Sequence, residues 1–147
     1  MIQSANKSHL NEILDIEKIV FTKPWTREQL KNDLVLSTNS ENWVYMEDQQ
    51  VTGYILGWKV RDEFHLNNIA VHLDFQRRHI GSALIEHVKN RLQSQNIQRI
   101  YLEVSGENKP AQQLYESMCF QKKGLRRDYY AKGEHAFLYH LNLVDND

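Results

Sequence analysis

The sequence predicts an α/β fold, in which a mixed, mostly antiparallel sheet carries helices on both faces. Runs of β-branched and aromatic residues alternate with stretches whose apolar residues recur every three or four positions. Three of the β-type runs follow one another with short polar turns between them, which is typical of an antiparallel meander. A long amphipathic stretch then separates the last of these three runs from the next β-type run, which is typical of a right-handed parallel crossover.

Apolar spacing and capping residues define the elements of the first half of the chain. Ser8 is placed to cap a first helix, whose apolar residues recur as far as Val20. Thr26 and Gln29 have the spacing of a capping box, which predicts the start of a second helix. The meander that follows comprises Trp43–Glu47, Val51–Val60 and Phe64–Val71.

The second half of the chain alternates between the two periodicities. Apolar residues spaced by four from Ile80 to Leu92 predict a helix, and a strand follows at Ile100–Val104. Pro110 lies in the first turn of a short helix whose apolar stripe reaches Met118. Two β-type runs close the chain, near Phe120–Tyr130 and Ala136–Leu143. The predicted order of elements is β-α-α-β-β-β-α-β-α-β-β.

Length, composition and charge bound the class of protein. The chain has 147 residues, of which 41% are hydrophobic and 25% charged, and this predicts one globular domain over residues 1–147. The single cysteine, Cys119, excludes an internal disulfide and favours the cytoplasm. No apolar run approaches the roughly 20 residues of a membrane span, so we expect no membrane partner. The net charge of −1 argues against direct binding of nucleic acid.

A basic loop between a strand and a helix is the clearest local signal of a ligand. After the strand end Ile69, Ala70 and Val71, its residues are Gln76, Arg77, Arg78, His79, Ile80, Gly81 and Ser82. Backbone N–H groups at a helix N-terminus lack intrahelical partners, and the helix dipole favours negative charge. The loop therefore predicts a site for a phosphate-bearing ligand, although neither common glycine-rich nucleotide motif is present.

Four further residues each have a chemical and a structural interpretation. Glu103 alternates with apolar residues in a predicted strand, so it needs a partner or a role unless it lies at the strand end and faces water. Tyr115 lies on an apolar helix stripe, which favours a core tyrosine. Asn108 is placed as a helix N-cap, and Cys119 as an inert buried thiol. The histidine spacings give no metal site.

Two longer runs carry a resemblance to a known family. The segment from Ile69 to Gly81 resembles the acetyl-CoA motif of the GCN5-related N-acetyltransferases, or GNAT superfamily, which reads [QR]-x-x-G-x-[GA]. The segment from Leu102 to Phe120 reads L-E-V-S-G-E-N-K-P-A-Q-Q-L-Y-E-S-M-C-F and resembles the family's second half. Arg126–Tyr130 and the Pro24-Trp25 loop are similar to its ribosomal-protein-alanine N-acetyltransferase (RimI-like) branch.

Two residues depart from the family pattern where glycine is usual. His79 stands at the first glycine of the cofactor motif, and Cys119 stands before the phenylalanine. A positive φ at His79 would cost roughly 1 kcal/mol, which a loop histidine tolerates. The side chain of His79 is expected to affect the affinity for the cofactor, whereas Cys119 is expected to affect packing.

The resemblance implies acetyl-CoA as co-substrate, no metal, and a role for each residue of the site. The cofactor-binding residues that it implies are Ile69, Ala70, Val71, Gln76, Arg77, Arg78, His79, Ile80, Gly81, Ser82 and Asn108. Glu103 would be the general base and Tyr115 the general acid. Trp25, Tyr129 and Tyr130 would contact the acceptor.

The resemblance also implies the acceptor: the N-terminal alanine of a small-subunit ribosomal protein. Energetics favours such an amine, because deprotonation at pH 7.4 costs under about 1 kcal/mol for an α-amine and about 4 kcal/mol for lysine. Two alternatives stay open. The chain could acetylate a lysine side chain, a polyamine or another small amine, or it could be a CoA-binding regulator without turnover.

Overall fold

Seven strands and four helices make up the regular part of the computed structural model, which describes residues 1–36 and 38–144. In chain order they are β1 Ile2–Ser4, α1 Leu10–Val20, α2 Arg27–Lys31, β2 Trp43–Glu47, β3 Gln50–Val60, β4 Glu63–Val71, α3 Ile80–Gln93, β5 Arg99–Ser105, α4 Lys109–Ser117, β6 Gln121–Ala131 and β7 Glu134–Asn142. Short 3-10 turns at Lys7–His9 and Leu73–Phe75 and a π-helical turn at Asn32–Leu36 complete the list. The predicted order of elements is confirmed.

The strands form one mixed sheet in the order β1-β2-β3-β4-β5-β7-β6. Neighbouring strands are antiparallel except β4 and β5, which are parallel because α3 carries the chain back across the sheet. The meander of β2, β3 and β4 is present, and β6 and β7 form a final hairpin. A mostly antiparallel sheet with one parallel pair was the predicted topology.

The parallel pair separates halfway along its length. Residues 63–66 of β4 pair with residues 99–102 of β5, although both strands continue beyond that point. At the same point Asn67 lacks a partner in β3, while the residues on both sides of it are paired. Such a bulge bends a strand and increases its twist, which turns the end of β4 away from β5. Gly57 lies beside the bulge, where a Cβ would come within 2.7 Å of the His65 carbonyl oxygen.

Helices cover both faces of the sheet, as predicted. The core on the face of α3 and α4 includes Ile80, Leu84, Val88, Ile100, Leu102 and Tyr115. The core on the face of α1 and α2 includes Ile13, Leu14, Leu30, Val44, Tyr54 and Leu56. Within residues 1–36 and 38–144, no helix is both long and apolar enough to cross a membrane.

The helix starts confirm one capping prediction and contradict another. Thr26 and Gln29 form the predicted capping box at the start of α2. Ser8 does not cap α1, because Asn6 precedes it and accepts both the Ser8 N–H at 2.9 Å and the Ser8 hydroxyl at 2.6 Å. These bonds close a 3-10 turn, and α1 begins only at Leu10.

Cys119 ends α4 in a conformation that explains why glycine is usual there. Its φ is 72°, in the left-handed region. Its N–H donates to Glu116, and the next N–H, of Phe120, donates to Tyr115, which together form a Schellman motif. The prediction of a buried thiol is wrong: the left-handed turn directs the Cys119 side chain to the surface.

Candidate active site

A cleft opens where β4 and β5 separate. It encloses about 250 Å³ between the second halves of the two strands, and α4 and the segment after α1 complete its walls. Six residues that the sequence analysis singled out line this one cavity, although they are far apart in the chain. They are Trp25, Ile69, Glu103, Asn108, Tyr115 and Tyr130.

A second cavity, of about 710 Å³, adjoins the cleft. The two cavities share the lining residues Trp25, Leu66, Asn67, Glu103 and Tyr130. Glu103 therefore lies where a ligand between β4 and β5 would meet a ligand in the second cavity. No other carboxylate among the described residues lines both.

Glu103 faces the two cavities from the interior of β5. The strand continues to Ser105, so the interpretation of Glu103 as a strand-end residue is wrong. Its side chain is 31% exposed, and its Oε1 lies 3.3 Å from Nη1 of Arg126 on β6. The carboxylate thus has an ionic partner and an open face toward the cavities.

Tyr115 lies in the core and also lines the cleft. It is only 4% exposed, and its ring contacts the rings of Phe120 and Tyr139 at centroid distances of 5.6 and 6.1 Å. Burial raises the pKa of Tyr115 above its ordinary value, and the neighbouring Tyr130 raises it further. The Tyr115 hydroxyl therefore keeps its proton at neutral pH.

The helices α3 and α4 differ in their N-terminal caps. The side chain of Asn108 caps α4 by accepting the Ala111 N–H at 3.2 Å, as predicted. His79, at the N-cap of α3, makes no side-chain cap. The first turn of α3 closes when the Ala83 N–H and the Ser82 hydroxyl both donate to the His79 carbonyl at 3.0 Å. The earlier amides of α3 carry the positive end of the helix dipole without a capping carboxylate or hydroxyl.

The loop before α3 has the left-handed conformation at two residues. Arg77 has φ of 65° and His79 has φ of 61°. The glycine that the family pattern places at His79 would adopt this conformation without strain, whereas histidine pays about 1 kcal/mol. The departure at His79 therefore changes the energy of the loop and not its path.

Polar side chains of the loop contact protein atoms. Gln76 donates from Nε2 to the Val71 carbonyl at 3.1 Å. Arg78 extends to Glu47 of β2, with 3.3 Å between Nη1 and Oε2. Two polar side chains of the loop therefore already have protein partners.

The residues on either side of the loop, at the end of β4 and the start of α3, pack against the rest of the protein. Ala70 and Ile80 direct their side chains into the two cores. A Cβ on Gly81 would lie 3.3 Å from a side chain of α4, so the start of α3 packs closely there. The N–H of Ile69 donates to Oδ1 of Asn68 at 3.1 Å. Of the cofactor-binding residues that the sequence predicts, Ile69 and Asn108 line the cleft, whereas Ala70, Val71 and the loop from Gln76 to Ser82 lie outside its lining.

Tyr129 and Tyr130 reach the second cavity because their strand is irregular. The pairing of β6 with β7 is interrupted between Arg126 and Ala131. In a regular strand, neighbouring side chains would point to opposite faces, whereas both tyrosines line this cavity. Their rings meet edge to face at 5.1 Å, and the Arg126 guanidinium lies 5.3 Å from the Tyr129 ring.

Glu17 of α1 is a charged residue of the cleft that was not predicted from the sequence. Its carboxylate is fully buried and accepts the Tyr54 hydroxyl at 2.5 Å, the Trp25 N–H at 3.0 Å and the Asn68 side-chain amide. Burial raises the pKa of Glu17, while the hydrogen bonds from Tyr54 and Trp25 act to lower it. Its position three residues after Leu14 puts a charged residue on the apolar stripe of α1, and that was the available signal.

Comparison with known proteins identifies the class of protein. The model of the Acetyltransferase (GNAT) family matches residues 10–120. The chain therefore belongs to the GNAT family, and the separated strands, the basic loop and the order of elements agree with that class. Within the described residues, no group of three or more His, Cys, Asp or Glu side chains could hold a metal ion.

Two proteins named as ribosomal-protein-alanine N-acetyltransferases and one solved structure of similar fold resemble this chain over most of its length. Ribosomal protein bS18-alanine N-acetyltransferase of Escherichia coli (strain K12) is 30% identical over 129 residues, which cover 88% of this chain and 86% of that protein. The crystal structure of the ribosomal-protein-S18-alanine N-acetyltransferase from Escherichia coli has a TM-score of 0.92 at 28% identity, over 100% of this chain and 96% of that one. Arabidopsis thaliana NAA60 in complex with acetyl-CoA has a TM-score of 0.83 at 17% identity, over 97% of each chain.

Proposed function

We propose that this N-acetyltransferase transfers an acetyl group from acetyl-CoA to the α-amine of an N-terminal alanine, and that the acceptor is a ribosomal protein of the bS18 kind. The relatives at about 30% identity, whose names state this reaction, support the acceptor. The single cysteine supports a cytoplasmic location. The observation that carries the proposal is Glu103, a carboxylate at the junction of two cavities.

The cleft between β4 and β5 fits acetyl-CoA in two respects. Strand ends that have lost their neighbour leave main-chain groups for an extended amide-bearing chain such as pantetheine. The amides from Arg77 to Ser82, at the uncapped start of α3, suit a pyrophosphate. In this assignment Asn108 lines the cleft opposite Ile69 and contacts the pantetheine from the side of β5.

Acetyl-CoA supplies the thioester carbonyl that the acceptor amine attacks. Glu103 accepts the proton that the acceptor ammonium must lose to become a nucleophilic amine, directly or through one water. Tyr115 keeps its proton at neutral pH and donates it to the departing sulfur, whose thiol has an ordinary pKa near 8.5. The N–H of Val71 stabilises the negative charge on the carbonyl oxygen.

The acceptor enters through the second cavity. Trp25 contributes one wall, and Tyr129 and Tyr130 contribute another. Lys23 connects the two walls, because its Nζ lies 3.5 Å from the Tyr130 carbonyl and 3.8 Å from the Glu134 carboxylate. An extended N-terminus fits such a passage, with its amine at Glu103.

Two peptides test the proposal. The first has a free N-terminal alanine and no lysine, and the second has a blocked N-terminus and one internal lysine. We expect thiol release from acetyl-CoA with the first peptide alone. Acetylation of the second peptide alone would contradict the acceptor, as would turnover of a polyamine while the alanine peptide stays inert. Binding of CoA without turnover of any amine would favour a regulator.

A further inference from the structure

Four rings form a continuous row across one face of the sheet. Trp58, His65, Tyr101 and His140 lie directly opposite one another in β3, β4, β5 and β7. Successive ring centroids are 6.3, 5.6 and 6.1 Å apart, and the central pair, His65 and Tyr101, is stacked with 21° between the ring planes. The mechanism above uses none of these residues.

The ring row lies beside the open part of this face. The helices α1 and α2 pack on β2, β3 and β4 through a core that contains no residue of β5, β6 or β7 among those described. Trp58, at one end of the row, is 46% exposed. His65 and Tyr101 line the second cavity together with Glu103, so the row is continuous with the passage of the acceptor.

The distance from Glu103 to the row corresponds to a fixed number of residues. Tyr101 precedes Glu103 by two positions on the same face of β5, a spacing of about 6.7 Å. An extended peptide advances by the same distance over two residues, and its side chains alternate in the same way. For an acceptor that runs extended along β5 with its first residue at Glu103, the third residue lies over His65 and Tyr101.

We propose that His65 and Tyr101 form a subsite for the third residue of the acceptor and select a planar, aromatic side chain there. The proposal rests on the proposed function, since it takes an N-terminal amine at Glu103 as its origin. Because the His65 and Tyr101 rings are stacked on each other, a ligand above them meets two neighbouring ring edges, which the face of an aromatic side chain covers by edge-to-face contact. A flexible aliphatic side chain would cover them less completely.

The charges around the pair favour a peptide over a nucleic acid as the occupant. The His65 ring lies 3.2 Å from the Glu63 carboxylate, and Glu103 borders the other end of the same cavity. Arg126, which also lines the cavity, is paired with Glu103. The other nearby cation is Arg99, whose Nη1 donates to the Tyr101 hydroxyl at 3.5 Å. Two carboxylates and two arginines leave no excess of positive charge for a phosphate backbone.

Three peptides of identical composition test the subsite. Each begins with a free alanine and has one tyrosine among serines, placed second, third or fourth. With saturating acetyl-CoA, we expect kcat/KM about tenfold higher for tyrosine in third place than in second or fourth, the equivalent of about 1.4 kcal/mol. A control peptide with serine in all three places should have a kcat/KM similar to that of the two weaker peptides.

Two variants assign the preference to the rings. Tyr101→Leu should reduce the preference for third place below about twofold, with little change for the peptide with tyrosine second. His65→Gln should act in the same direction. Tyr45→Leu, on β2 and away from both cavities, is the matched control and should keep the full preference. Circular dichroism confirms that each variant is folded.

The outcomes separate the two proposals. Equal rates on the three permuted peptides would overturn the subsite and leave the proposed function intact. A preference that persists in Tyr101→Leu would also overturn it. Acetylation of a small amine, with none of the alanine peptides turned over, would overturn the proposed function and the subsite with it. Indifference to the third residue combined with tight binding of oligouridylate would assign the rings to RNA.

Discussion

Replacing Glu17 by glutamine tests whether its buried carboxylate holds the acceptor loop in place. Oε1 accepts hydrogen bonds from Tyr54 and Asn68, and Oε2 accepts the Trp25 N–H. A glutamine can accept at only one of these two positions, and at the other its NH₂ group would face a donor. Glu17→Gln therefore conserves shape and removes half of the acceptors.

The size of the effect follows from the unpaired donor. A buried donor that loses its partner costs about 1–3 kcal/mol, and a lost hydrogen bond to a charged group lies in the same range. We expect Glu17→Gln to lower the free energy of unfolding by about 2–4 kcal/mol, which corresponds to roughly 6–12 °C in Tm for a chain of this length. KM for the peptide should rise, because Trp25 lines the acceptor cavity.

Thermal denaturation and steady-state kinetics measure both effects. Glu28→Gln, an exposed position on α2, is the matched control and should change stability by no more than about 0.5 kcal/mol. If Glu17→Gln melted at the wild-type temperature with an unchanged KM for the peptide, the network around Glu17 would have no part in positioning the loop.

Three further predictions concern the chemistry, a helix end and the pH dependence. Glu103→Gln should lower kcat and alter its pH profile, and Tyr115→Phe should lower kcat with little loss of acetyl-CoA binding; wild-type rates would remove either residue from the mechanism. Cys119→Gly should raise the free energy of unfolding by about 0.5–1 kcal/mol, because glycine adopts the left-handed conformation without strain and the thiol is exposed; a lower Tm would contradict this. Burial lowers the pKa of His9, whose Nδ1 accepts the Asn6 N–H at 3.0 Å. The folded protein therefore binds fewer protons there than the unfolded chain, and stability should fall as the pH drops below about 6.5. Urea titrations between pH 5 and 7 should show this slope reduced in His9→Gln, and an unchanged slope would exclude His9 as its source.

The order of elements was predictable because it depends on periodicity, which is local in sequence. The same holds for Thr26, where a capping box fixes the helix start within three residues. Ser8 shows the limit of this reasoning. Asn6 and Ser8 are both good caps, and the competition between them is decided by which side chain reaches the next free N–H.

Much of the site depends on contacts that no local pattern encodes. The resemblance pointed to Glu103 and Tyr115, and the structure brings both to one cavity. It gave no sign that Arg126 pairs with Glu103, because that contact needs the register of β6 on β7 and of β7 on β5. Glu17 was not predicted, because a single charged residue is normally expected to lie at the surface. Its burial becomes clear only when its partners in β3 and β4 are known.

The bulge at Asn67 creates two strand edges inside a sheet. Outer edges of a sheet are exposed templates that other chains can join, and proteins commonly cover or interrupt them. The inner edges of β4 and β5 instead face each other within the sheet, across the cleft of about 250 Å³. In the proposed function, this cleft takes the amide-bearing pantetheine of acetyl-CoA. One extra residue in β4 thus creates two unpaired strand edges inside the sheet, where they are open to an extended ligand and not exposed at the sheet's outer edge.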